Sequence, residues 1–271
     1  MPLAVCATPI GNLDDVTLRV LAELRAADVV LCEDTRHTRG LLARHGIDAR
    51  LLSYHEHNEA SRTAEVLPRL EAGERVALVS DAGLPGVSDP GGRLVRAALD
   101  AGVEVTVLPG PSAVETALVA SGLVGDRYQF VGFLPRGERA LAALWSELSA
   151  WPWPVVAFES AQRLPATLRS LADADPIRAV AVCRELTKRF EEIARGSAAE
   201  LAERFSEPPK GEITVVLGPS NVSATDEDAA LAAVAELVDA GVPRKQAAAV
   251  VSGLTGVARN RLYRASLQSE L

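Results

Sequence analysis

The sequence predicts an α/β protein of two domains that ends in a small helical extension. Three observations carry this. Short apolar runs alternate with segments of helical period up to residue 110, a second series of apolar runs follows between 128 and 218, and residues 226–268 hold three helical patterns. At 271 residues the chain is long enough for two cores, and 48% hydrophobic with 24% charged residues is the balance of a globular protein.

In order, "LAVCAT" (3–8) reads as a strand and "TLRVLAELRAA" (17–27) as an amphipathic helix. "DVVLCE" (28–33) is a strand, and "TRGLLARHG" is a helix closed by Gly46. "RLLSY" (50–54), the helix "NEASRTAEVLPRLEAG" and the strand "RVALVS" (75–80) continue the series, with Pro68 expected to kink its helix. A helix over 91–102 and the strand "EVTVLPG" (104–110) complete a mainly parallel sheet covered on both faces. "GPSAVETALVASG" is a further helix. Then "YQFVGFL" (128–134), "WPVVAFE" (153–159), "IRAVAVCRE" (177–185) and "GEITVVLG" (211–218) are strands, with helices near 138–149 and 161–173. The expected domains are 1–113, an α/β domain with cofactor-binding loops, 114–220, a second α/β domain, and 221–271, a linker with a basic helical extension. "GPSNVSATDED" supplies the polar linker.

Charge is segregated. The formal net charge is −8, which argues against indiscriminate nucleic-acid binding. Between 241 and 271, however, Arg244, Lys245, Arg259, Arg261 and Arg264 face a single acid, Glu270. The helical trio there resembles a helix-turn-helix module, with a packing appendage as the equal alternative. Cys6, Cys32 and Cys183 are scattered in apolar runs with no CxxC pair, and the start lacks a cationic leader. A cytoplasmic protein without a membrane segment is expected.

Five polar loops follow strands of the first domain and so should share one rim: "TPIGNLDD" (8–15), "EDTRHTR" (33–39), "SYHEHNE" (53–59), "SDAGLPGVSDPG" (80–91) and "PGPSA" (109–113). Neither GxGxxG nor GxxxxGK[ST] is present, which sets aside a dinucleotide fingerprint and a P-loop. Ser80, Ser88 and Ser112 are not in a GxSxG elbow. His55 and His57 lack an evident third ligand, so no metal is expected. The small residues of the 80–91 and 109–113 loops suit a ligand held by main-chain contacts.

Together, "TPIGNLDDVTLRVLAEL", "CEDTRHTRGLLARHGI", "YHEHNE", "VALVSDAGLPGVSDPG", "LPGPSAVETAL", "GFLPR", "RELTKRFEE" and "KGE" resemble the ribosomal RNA small subunit methyltransferase I family of the tetrapyrrole-methylase superfamily. The resemblance spans essentially the whole chain. It implies a two-domain tetrapyrrole-methylase-like (class III methyltransferase) fold with a helix-turn-helix-like extension, a homodimer, and S-adenosylmethionine in the cleft between the domains. The implied reaction is 2′-O-methylation of a cytidine, position 1402, in the decoding region of bacterial small-subunit rRNA, with the assembled small subunit as partner.

By the same resemblance Pro9, Gly11, Asp81, Gly83, Val87, Ser88, Ser112, Ala113 and Phe158 line the cofactor. "AFESAQRL" (157–164) departs from a family pattern closer to FYES-x-HR: Ala157 and Phe158 stand for Phe-Tyr and Gln162 for His, while Glu159, Ser160 and Arg163 are kept. A ribose hydroxyl is a weak nucleophile until its proton leaves. Asp34 or Glu185 is expected to activate it, with Lys188 facing the developing oxyanion and His37 a further candidate. Arg36 and Arg39 are expected to hold phosphates, and Arg259, Arg261 and Arg264 to bind RNA. Two alternatives stand beside this: a methyltransferase of corrinoid or sirohaem precursors, disfavoured by "TPIGN" where a GxGPG-like loop is usual, and a catalytically inert ribosome-assembly factor.

Overall fold

The computed structural model describes residues 2–149, 151–220, 224–255, 257 and 259–268. The chain forms two compact units, residues 1–117 with 184–192, and residues 118–183 with 193–271. The division after residue 117 falls inside a helix, and residues 193–271 are grouped with the second unit.

In the first unit, strands β1 (Leu3–Cys6), β2 (Val29–Cys32), β3 (Leu51–Ser53), β4 (Val76–Val79) and β5 (Val105–Leu108) form one sheet in the order β3-β2-β4-β1-β5. β1 pairs in parallel with β4 and β5, and β2 in parallel with β3 and β4. Right-handed crossovers put helices of leftward and rightward connections on opposite faces, and the side chains alternate to match. Leu3, Val5, Leu31 and Leu78 pack with Val66 and Leu70 of α3 (Glu59–Glu71) and with Leu94 and Ala98 of α4 (Gly92–Asp100). Ala4, Cys6, Val30 and Val79 pack with Val20, Leu21 and Leu24 of α1 (Leu18–Ala26) and Leu42 of α2 (Thr35–Arg44). α3 continues through Pro68, which falls near its end, to Glu71. The order reverses between β4 and β1, so the loops after these strands flank the topological switch point, where such sheets bind ligands.

The second unit has a sheet in the order β6-β7-β10-β8-β9: β6 (Gln129–Phe133), β7 (Val155–Ser160), β8 (Ala179–Arg184), β9 (Glu192–Ser197) and β10 (Glu212–Leu217). β6 and β7 are parallel, whereas β7 and β10 are antiparallel. One face is covered by α6 (Glu138–Leu148), α7 (Leu164–Ala174) and α8 (Ala198–Arg204), which bury Trp145, Leu168 and Leu201 with Ala157, Val182 and Val215. α5 (Ala113–Ser121) straddles the two units. β9 and α8 were not expected from the sequence. α8 opens with a capping box, Ser197 accepting from Glu200 N–H while the Glu200 carboxylate accepts from Ser197 N–H.

The extension comprises α9 (Ala224–Asp239), α10 (Arg244–Thr255) and α11 (Arg259–Gln268). Ala230, Val234, Ala247, Ala248, Val251, Val257 and Leu262 make a core of its own. Linker residues 221–223 lie outside the described residues.

Candidate active site

The five rim loops of the first unit are tied to one another, chiefly through the loop after β4. Thr8 N–H donates to Gly83 O at 2.9 Å and Gly83 N–H returns to Thr8 O at 3.1 Å, a two-way bridge between the β1 and β4 loops. The Thr8 hydroxyl adds a 3.0 Å bond to Ser80 O. Asp34 N–H, after β2, donates to Asp81 Oδ1 at 3.1 Å. Glu59, beyond β3, accepts from Gly91 N–H at 3.0 Å and from the buried Tyr54 hydroxyl at 3.1 Å. After β5, Gly110 lies so close to Ala7 that a Cβ would come within 2.9 Å of the Ala7 Cβ.

The β4 loop is unusual in conformation. Gly83 (φ +80°) and Gly86 (φ +86°) occupy backbone geometry open to glycine, and Ser88 adopts φ +60°. That conformation explains why the connection is long and glycine-rich: the chain turns repeatedly on its way from the end of β4 to the start of α4. Gly83 is buried at the bridge, whereas Val87 and Ser88 are exposed at the tip. Ser112 donates to the Glu115 carboxylate, and Ala113 starts α5. A small cleft is lined by Thr8, Pro9, Leu13, His37, Thr38, Leu41, Ser80 and Asp81, which brings Pro9 and Asp81 together with His37.

The rim is acidic. Burial first, then the Glu33 charge, pushes the Asp89 carboxyl up to about 6, and burial with the Asp81 charge raises Glu33. A ligand carrying positive charge would relieve that repulsion.

The turn between β8 and β9 belongs to this unit. Glu185 (φ +51°) and Thr187 (φ +64°) hold left-handed backbone conformations, an outlier for a β-branched residue. Lys188 Nζ donates to Glu185 Oε1 at 2.9 Å, both side chains being less than a third exposed. The Thr187 hydroxyl accepts from Asn12 N–H at 3.0 Å. At Gly11 a Cβ would stand 2.5 Å from Lys188 Cγ and 2.8 Å from Leu186 O. Glycine there lets the β1 loop close on the turn, so Gly11, Glu185 and Lys188 form one constellation.

Asp34 is differently employed. Its carboxylate caps α2 through Arg36 N–H at 2.8 Å and grips the Arg36 guanidinium at 3.0 and 3.2 Å. These bonds hold its carboxyl down at about 2, which makes it a poor proton acceptor at neutral pH. Arg36 is therefore engaged with Asp34, while Arg39 is exposed on α2.

In the second unit the "FES" stretch is a clasp. The fully buried Glu159 carboxylate accepts from Arg163 Nε and Ser160 N–H at 2.7 Å and from the Thr167 hydroxyl at 2.6 Å, and Arg163 donates onward to Leu134 O at 2.8 Å. Phe158 packs edge-on to Phe130 and Phe133, with centroids at 5.0 and 5.4 Å. Gln162 is exposed. Arg259, Arg261 and Arg264 are exposed on α11, whose Leu262 is buried in the module's core.

Sequence reasoning missed Thr8, Asn12, Glu59 and Thr187 as the groups that tie these loops together. A polar residue directly after an apolar strand was the available signal for Thr8 alone.

Comparison with known proteins agrees with this architecture. A family profile described as Tetrapyrrole (Corrin/Porphyrin) Methylases matches residues 2–202, and one described as RsmI C-terminal HTH domain matches 224–270. The chain is 44% identical over 269 residues to a Ribosomal RNA small subunit methyltransferase I of Mesorhizobium japonicum, covering 98% of this chain and 91% of the relative. A protein of the same name from Escherichia coli O157:H7 is 39% identical, with 99% and 95% covered. One from Thermotoga maritima is 45% identical over 219 residues, which span 79% of this chain but 97% of the relative. Among solved structures, the methyltransferase CobJ superposes with a TM-score of 0.62 at 20% identity, over 80% of this chain and 94% of that one. A uroporphyrin-III C-methyltransferase from Thermus thermophilus complexed with S-adenyl homocysteine gives 0.58 at 20%, over 80% and 96%. These two likenesses are of fold. From the profile over most of its length and the near full-length relatives, the chain belongs to the tetrapyrrole methylase family and, within it, to the ribosomal RNA small subunit methyltransferase I group.

Proposed function

We propose that this protein transfers a methyl group from S-adenosylmethionine to the 2′-oxygen of a cytidine, position 1402, in the decoding region of small-subunit rRNA. The observation that carries the reading is that near full-length relatives are named Ribosomal RNA small subunit methyltransferase I, while this chain matches both the methylase profile and the C-terminal helix-turn-helix profile. The acceptor is the assembled small subunit, and the enzyme works as a homodimer in the cytoplasm. A chain of net charge −8 that carries five basic residues against one acid between 241 and 271 suits a partner recognised by shape and a local patch. No helix among the described residues is long and apolar enough to cross a membrane.

The rim fits the cofactor. Its acidic groups, Glu33, Asp81 and Asp89, suit a ligand bearing a sulfonium and an ammonium. Pro9, Gly11, Asp81, Gly83, Val87, Ser88, Ser112 and Ala113 would hold it, largely through main-chain groups. The family resemblance adds Phe158, whose ring meets Phe130 and Phe133 edge-on. When bound, the cofactor supplies an electrophilic methyl group.

The chain's own residues do the remainder. Glu185 takes the proton that the 2′-hydroxyl gives up as the oxygen–methyl bond forms. The Lys188 ammonium faces the negative charge that collects on that oxygen, and its 2.9 Å bond to Glu185 keeps the two in register. The left-handed backbone at Glu185 and Thr187 and the Asn12 bond hold the pair in place. Positioning of this kind supplies much of the barrier reduction in a direct transfer.

The test is incubation with tritiated S-adenosylmethionine and small subunits from a strain lacking the gene, followed by mapping of labelled ribose. A single 2′-O-methylcytidine in the decoding region is expected. Label on another nucleotide, or on a base, would overturn the assignment.

A further inference from the structure

The 185–191 turn carries a feature that the chemistry above does not use. Phe190 is 65% exposed, two residues beyond Lys188. The Arg189 guanidinium lies over its ring, 5.5 Å from the centroid. Leu186 is buried beneath the turn.

Such an aromatic would ordinarily be mobile, but this turn is pinned at every step. Lys188 N–H donates to Glu185 O at 3.0 Å, Glu191 N–H to Lys188 O at 3.1 Å, and Thr187 N–H to Glu191 Oε2 at 2.6 Å. The Asn12–Thr187 bond ties it to the β1 loop. The neighbouring acids are engaged with the turn and its flank: Glu191, itself exposed, accepts from Thr187 N–H, and Glu192 accepts from Arg184 Nε at 2.8 Å. What the tip presents is an apolar ring with guanidinium charge on it.

We propose that Phe190 is a stacking platform for a nucleobase of the acceptor RNA, with Arg189 as its cationic partner. A flat apolar face with adjoining positive charge matches a base attached to a phosphodiester backbone, whereas a second apolar protein surface would leave the Arg189 charge to be desolvated. Base–aromatic stacking is tolerant of sequence, so Phe190 holds an unstacked nucleotide in place near the Glu185–Lys188 pair rather than reading its identity. The proposal rests on the reading that the acceptor is RNA.

The experiment compares wild type, Phe190→Ala and Phe190→Trp. Affinity for small subunits is read by filter binding, methyl transfer by tritium, cofactor affinity by calorimetry, and mass by light scattering. Phe190→Ala is expected to weaken subunit binding about tenfold. Phe190→Trp should stay within about twofold, with cofactor affinity, melting temperature and mass unchanged in both. Subunit binding by Phe190→Ala within twofold of wild type would overturn the proposal. So would a loss of dimer mass in that variant, which would make Phe190 a contact between copies. If wild type binds subunits but transfers no methyl group, the assigned activity fails while the binding ratio still decides the platform. If wild type binds no subunits, both fail.

Discussion

Gly11→Ala tests the constellation with a single methyl group. Gly11 is not in the left-handed region, so alanine meets no backbone penalty there. The added Cβ would lie 2.5 Å from Lys188 Cγ, 2.7 Å from Thr187 Oγ1 and 2.8 Å from Leu186 O, where ordinary contact begins at 3.4 Å. The turn must then retreat by about 0.6 Å at Leu186 O, a main-chain atom, and about 0.9 Å at Lys188. The Asn12–Thr187 bond stretches with it, at a cost of about 1 kcal/mol. A displacement near 1 Å can cost about 100-fold in rate, so kcat is expected to fall by that order, with a smaller loss of cofactor affinity because Gly11 also belongs to the cofactor set. Tritium transfer at saturating cofactor and subunits measures the first, and calorimetry the second. A kcat within about twofold of wild type would refute the claim that the turn is placed by the absence of a side chain at residue 11. Thermal unfolding guards against a global cause, since overpacking should cost only about 1–3 kcal/mol.

Three further outcomes are expected. Glu185→Gln should lower kcat by about 100-fold or more, the range for loss of a positioned base, whereas Asp34→Asn should stay within about fivefold because asparagine also caps helices; single-turnover assays separate the two. Asp89, raised to about 6, binds a proton more tightly in the folded than in the unfolded chain, so its contribution to stability is present below about pH 4 and lost as pH rises through 6. Asp89→Asn should therefore melt higher than wild type at pH 7.5 and equally at low pH, and cofactor affinity should rise from pH 5 to 7 more steeply in wild type than in the variant, both read by pH-series fluorimetry and calorimetry. Neutralising Arg259, Arg261 and Arg264 together should weaken subunit binding and reduce the slope of log affinity against log salt by about 2; an unchanged slope in salt-titrated filter binding would make α11 a packing element.

Local pattern carried much of the fold. Buried parallel strands such as Val76–Val79 are continuous apolar runs, and Gly46 and Gly102 mark helix ends through their positive φ. β9 escaped notice because "EIARGS" has one large apolar residue, Ile193, and two charges three residues apart, so it shows no alternation, although the Ser197–Glu200 box beside it was readable. The convergence of five loops on one rim followed from strand direction alone. Their interlocking did not: Thr8 meets Gly83 across 75 residues, and Asn12 meets Thr187 across 175. Nor does composition disclose that Asp34 spends its charge on Arg36, or that Glu185 sits at φ +51°. Residue type marks a group as capable of chemistry, and only the neighbours it acquires on folding decide whether it is available.

The reciprocal bridge of Thr8 and Gly83 has a kinetic meaning. Each amide is the other's protection, so neither the β1 loop nor the β4 loop can lift away while its counterpart stays put. Deuterium should therefore enter both amides at one shared rate. A ligand that touches only one of the two segments should slow both together, because the rim opens as a single cooperative unit.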